Sequence, residues 1–118
     1  KIEKRNFNFN LQKNEVEIEN FDVNYDAFSK NFKISVYLNP NNIDVKFIKV
    51  YLKIRNNENE ILKIPFKFLK IYDGKFVYEL EINKNLIQYP LVKCKIIATS
   101  GLWNNEKEIF LIKNATND

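Results

Sequence analysis

Lys75-Phe76-Val77-Tyr78-Glu79-Leu80-Glu81-Ile82 is the stretch on which the fold can be read. Phe76, Tyr78, Leu80 and Ile82 share one parity and Lys75, Val77, Glu79 and Glu81 the other, which is the period of a half-buried β-strand. Just before it, Asp73-Gly74 is a hairpin signal, because a two-residue turn needs positive φ at both central positions. Just after it, a polar connection ends at Pro90. Val92, Cys94, Ile96 and Ala98 then lie opposite Lys93, Lys95 and Thr99. A turn over Ser100, Gly101, Leu102, Trp103, Asn104 and Asn105 leads to a last apolar run, Ile109 to Ile112. Residues 75 to 112 read as three successive strands.

Working back toward the start, Leu62, Ile64, Phe66 and Phe68 form one apolar parity interrupted by Pro65. Proline has no N–H to give to a ladder, so this strand belongs at a sheet edge or is split there into two pieces. Asn56, Asn57, Glu58 and Asn59 make a hairpin loop. The strand before it runs from about Val45 to Arg55, with Ile48, Val50, Leu52 and Ile54 inward. Asn39-Pro40-Asn41-Asn42 breaks it from a run with Phe32, Ile34, Val36 and Leu38 on one face. Earlier still, Val16 and Ile18 are followed by Phe21, Val23 and Tyr25, a change from even to odd parity that a β-bulge or a strand changing sheets produces. Phe7, Phe9 and Leu11 suggest a short strand or an extended lead-in. Lys84 to Gln88 has room for one helical turn and no more.

Seven or eight strands at spacings near ten residues predict an all-β, two-sheet antiparallel sandwich, with a closed barrel as the alternative. The sandwich is expected over residues 15–113, after a lead-in or first short strand at 1–14 and before a tail or linker at 114–118. A length of 118 residues fits one domain, and the 45% apolar content suffices for its core. No apolar stretch approaches the ~20 residues of a membrane-spanning helix. The net charge of +4 is modest and the lysines are scattered along alternating positions, so solvated strand faces are expected and nucleic acid is not. Cys94 has no second cysteine to pair with and lies on an apolar parity, where a thiol acts as a small hydrophobe. The chain opens at Lys1 and contains no methionine, as expected of a processed product or an excised piece of a longer protein.

Asp73-Gly74 with Phe76, Tyr78, Leu80 and Ile82, followed by Val92, Cys94, Ile96 and Ala98 running into Ser100-Gly101, resembles the closing strands of bacterial immunoglobulin-like and fibronectin type III-like modules. Gly101 and Asn104 stand where those families have a small-residue turn with an Asn near its tip. The likeness covers about a third of the chain closely. The sequence departs from antibody-like domains at Val92, where a corner tyrosine would stand, in the missing second cysteine, and in placing its only tryptophan in a turn. The resemblance implies a spacer, adhesive or accessory module without catalytic activity, one of several in a secreted or cell-surface protein. Its partners would be neighbouring domains of the same chain or another protein.

Chemistry is thinly supplied. There is no histidine, and the serines lack the setting of an activated nucleophile. Glu79 and Glu81, two residues apart on one face, have the separation of paired glycosidase acids, which is also what any solvated strand provides. Asp22, Asp26 and Asp44 offer oxygens for calcium but without a dense ligand loop. No cofactor is expected. Outward Tyr37 and Tyr51 would form a cross-strand pair if the 32–38 and 45–55 runs make a hairpin. If successive connections reverse direction, the turns at 39–44, 72–74 and 100–106 emerge at one end. That end would hold Trp103, Tyr72, Asn41, Asn42, Asp73 and Asn104, an aromatic-and-amide set suited to a sugar face. Carbohydrate binding at this end is the alternative to a spacer or protein-interaction role. Asn114-Ala115-Thr116 has the pattern of a glycosylation acceptor.

Overall fold

The computed structural model describes residues 16–55, 61–87, 91–101 and 103–112. The possible strand at Phe7–Leu11, the loop at 56–59, Pro90, Leu102 and the segment 114–118 lie outside the described residues. Eight strands form: β1 (Glu17–Asp26), β2 (Asn31–Asn39), β3 (Lys49–Arg55), β4 (Ile61–Pro65), β5 (Lys67–Tyr72), β6 (Lys75–Asn83), β7 (Leu91–Ser100) and β8 (Trp103–Ile112). A first sheet has the order β1-β2-β6-β5 and a second the order β4-β3-β7-β8, with every neighbour antiparallel. This is the two-sheet sandwich that the alternations predict.

Each strand sends its apolar parity to the space between the sheets. Ile34, Val36 and Leu38 from β2 and Leu52, Ile54, Ile96 and Leu111 from the second sheet are almost wholly buried there. The parity change in β1 is a register shift between Ile18 and Asn20. It keeps both Ile18 and the later Phe21, Val23 and Tyr25 against the core. Pro65 does what its missing N–H requires: β4 ends on it in the second sheet, and the chain passes through Phe66 into β5 of the first. Phe66 N–H donates to the Val50 carbonyl at 2.9 Å. On the opposite side of the sandwich the two outer strands β1 and β8 approach each other, and Ile18 N–H donates to Asn105 Oδ1 at 2.8 Å.

Three expectations change. The strand foreseen from Val45 begins at Lys49, because Asp44 accepts Lys46 N–H through its side chain at 3.1 Å and caps a 3-10 turn over Val45–Phe47. Strands β2 and β3 lie in different sheets, so Tyr37 and Tyr51 are not cross-strand neighbours. β2 is hydrogen-bonded between β1 and β6, which leaves it no free edge for β3. Val77 faces outward as its parity requires, yet is only 5% exposed. It stands in register with Tyr37, as the buried Ile97 does with Tyr51 in the second sheet, so a tyrosine stands beside an aliphatic side chain on each outer face.

Asp73 and Gly74 have φ of 53° and 77°, the positive pair of a type I′ hairpin. A Cβ built on Gly74 would meet nothing within 4 Å, so the constraint there is purely one of backbone. Gly74→Ala is expected to lower the unfolding free energy by about 1–2 kcal/mol through φ alone. Leu52→Ala, at a wholly buried position, should cost about 2–5 kcal/mol. Urea denaturation of the two variants checks both, and an equal loss at the two sites would contradict this account of the core.

Candidate functional site

The registers place three connections at one end of the sandwich: that following Asn39, the hairpin Tyr72–Lys75, and the turn between Ser100 and Trp103. Asn41 and Asn42, with φ of 49° and 70°, turn the chain there. Ile43 N–H donates to the Pro40 carbonyl at 3.0 Å, and Asn41 N–H donates to Asn39 Oδ1 at 3.1 Å. These two amides therefore have a conformational task. Tyr72 closes β5 and is 62% exposed, with the Lys70 ammonium 5.5 Å from its ring centre. Asp73, beside it, is exposed in the turn.

Trp103 opens β8 opposite Ser100 and is 39% exposed. It has the core-facing parity of Ile109 and Leu111, whereas Asn104, opposite Thr99, faces out from the sheet. Consecutive strand residues point to opposite faces, so Trp103 and Asn104 do not share one. Tyr72-Asp73 and Trp103-Asn104 also belong to outer strands on opposite sides of the sandwich. In either sheet, the outermost strands are separated by three strand spacings, about 14 Å. The six residues thus occupy one end but form three separate groups, with Asn41-Asn42 on the crossing between the sheets.

Several carboxylates are engaged in structure. Asp26 accepts Phe28 N–H at 2.9 Å and the Ser29 hydroxyl at 3.1 Å, and these bonds, the backbone one foremost, hold its carboxyl below the ordinary aspartate range. Asp44 caps the 3-10 turn. Glu79, one of the two spaced glutamates, lies 3.1 Å from the Lys33 ammonium. Glu19 meets Lys75 at 2.8 Å, and that hydrogen bond lowers its pKa. Among the described residues no group of three or more His, Cys, Asp or Glu is placed to hold a metal ion, and no helix is long and apolar enough to cross a membrane. Burial pushes the Cys94 thiol and the Tyr78 hydroxyl each up to about 12.

Phe28 has no role in the sequence reading: it is 98% exposed at the tip of the β1–β2 turn, at the end opposite Trp103. Its signal was a large apolar residue amid turn formers. The clustering of lysines on one face was not readable in order along the chain, because it arises from strand register.

A solved structure shares this fold. The solution structure of the carbohydrate binding module of the muscle glycogen-targeting subunit of Protein Phosphatase-1 matches 87% of this chain and 75% of its own, with a TM-score of 0.55 and 16% sequence identity. At that identity the likeness is one of fold. No family model and no curated protein sequence matches the chain.

Two outcomes follow from the side chains described. Cys94 should resist a thiol reagent at pH 8 in the folded protein and react at once in denaturant, because little thiolate exists at that pH and the sulfur is buried. Rapid labelling of the native protein would show that the β7 core position is open. Asp26 has a depressed folded pKa, so its contribution is present above its unfolded value, near 3.8, and is lost as pH falls through the folded one. Asp26→Asn should therefore flatten the acid limb of a stability-against-pH curve.

Proposed function

We propose that this chain is a non-catalytic recognition or spacing module of a larger secreted or cell-surface protein. The observation that carries this reading is the division of the molecule into an apolar interior and polar outer faces. Ser100 is the one polar residue among the buried ones described, and the charged groups lie on surfaces suited to contact. The immunoglobulin-like sandwich fits a bacterial immunoglobulin-like or fibronectin type III-like module, with neighbouring domains or another protein as partner.

Carbohydrate binding is the second reading, and two observations favour it. Trp103 is part-exposed at the loop end, and among the described residues no hydrogen bond or ring contact occupies it. The solved structure sharing the fold is a carbohydrate binding module. Because Tyr72 and Trp103 lie on opposite sides, a sugar would use Trp103 with its local neighbours or Tyr72 with Asp73, each alone.

Trp103 fluorescence separates the two, since the chain has a single tryptophan. In a titration with a panel of neutral glycans, a saturable shift abolished by Trp103→Ala and retained by Tyr72→Ala is expected if sugar is held at that position. An emission spectrum indifferent to every neutral glycan removes Trp103 from recognition and leaves the protein-interaction or spacing role.

A further inference from the structure

The outer face of the second sheet gathers cations that are dispersed in the sequence. Register puts Lys63, Lys53 and Lys95 side by side in one row, from the β4 edge inward to β7. The adjacent row begins with Ile61 and Arg55 and, one step beyond the Ile54–Cys94 pair, continues to Lys93 and Phe110. Neighbours within a row are about 4.8 Å apart, and the rows about 7 Å. A depression of about 360 Å³ opens on this face, lined by Lys53, Arg55, Ile61, Lys93 and Lys95.

Like charges directly opposite one another on a sheet are destabilising. The first sheet avoids them: Lys33 meets Glu79 at 3.1 Å and Lys75 meets Glu19 at 2.8 Å. On the second sheet the β8 side is neutralised, through Lys93–Glu108 at 3.4 Å and Lys95–Glu106 at 3.5 Å. Lys53 and Lys63 reach no carboxylate among the described residues, and the Lys63 ammonium lies 5.7 Å from the Tyr51 ring centre instead. A local rule obeyed on one face and broken on the other marks a functional surface.

We infer that this face binds an acidic polysaccharide, a linear chain of sugars bearing sulfate or carboxylate groups. This rests on the reading of the chain as a recognition module, and it uses a surface distinct from the Trp103 end. Lysine and arginine offer only donors, which suit the acceptor oxygens of sulfate, carboxylate and hydroxyl. Ile61 and the 52% exposed Phe110 flank the second row and give the CH faces of sugar rings an apolar support. A peptide gains affinity from main-chain pairing along a strand edge, whereas the cations here project from the sheet face. Single-stranded nucleic acid stacks successive bases on several rings, and among the described residues this sheet face offers Phe110 alone, the Tyr51 ring being approached by Lys63. A four-stranded face is also too broad for the ~12 Å major groove of a duplex.

The test is equilibrium binding of the whole chain to heparin, polyguluronate, a neutral glucan, a single-stranded oligonucleotide and polyglutamate, each at two salt concentrations. Heparin or polyguluronate should bind most tightly, more weakly at high salt, and Lys53→Glu/Lys63→Glu should reduce that affinity by about tenfold or more. Lys33→Glu/Lys67→Glu, on the other sheet, should leave it nearly unchanged. Thermal melting supplies a second readout: Lys53→Gln should raise the midpoint by relieving repulsion while weakening heparin or polyguluronate binding. Tighter binding of the oligonucleotide or polyglutamate, equal losses in the two double variants, or no binding of either acidic polysaccharide at low salt would overturn the assignment. A Trp103 response to neutral glycan that persists in Lys53→Glu/Lys63→Glu keeps the module reading separate from this one.

Discussion

The missing N–H of Pro65 is the constraint on which the arrangement of the sandwich turns. No further strand can take a donor from it on the outer side of β4, and the β4 pairing with β3 closes at Pro65 opposite Tyr51 and the bond from Phe66 N–H to the Val50 carbonyl. Phe66 then carries the chain across, and Lys67 begins a new ladder against Glu79. One side of the sandwich is thereby closed by the covalent chain itself. The four inner strands, β2 and β6 in one sheet and β3 and β7 in the other, are left to build most of the interior from their alternating aliphatic residues. Burying each of these side chains is worth about 1.5–3 kcal/mol, and the crossing at Phe66 holds the two inner faces together.

Much of this is written in the period of the residues. Phe76 to Ile82, Val92 to Ala98 and Phe32 to Leu38 declare their inward faces, and the parity change after Ile18 marks its bulge. The split at Pro65 and the turn at Asp73-Gly74 follow from backbone chemistry alone. Sheet membership does not. An alternation says which side of a strand is dry, but not which strand lies beside it, so Tyr37 and Tyr51 look like neighbours until β6 takes the place next to β2. The candidate site was legible to the same extent. The end of the sandwich could be inferred from the reversal of successive strands, whereas the separation of Tyr72 from Trp103 depends on which strands lie outermost.

The same distinction governs electrostatics. Lysines spread along the chain look evenly solvated in sequence, but lateral pairing converts separate positions into rows. The first sheet interleaves its charges, with Lys33 near Glu79, while the second places Lys53 between Lys63 and Lys95. Net charge is blind to this difference. The outer faces are therefore chemically unlike even though the inner ones are similarly apolar.

The hydrogen bond from Ile18 N–H to Asn105 Oδ1 joins the first described strand to the last across 87 positions. Its consequence concerns the order of assembly. During synthesis from the N-terminus, β1 and β2 can pair early, but the side opposite Phe66 stays unsealed until β8 has emerged. Contacts this distant in sequence make closure of such a sandwich intrinsically slow. Until Asn105 arrives, the open flank of β1 is available to other strands, and the start of β8 serves as a latch.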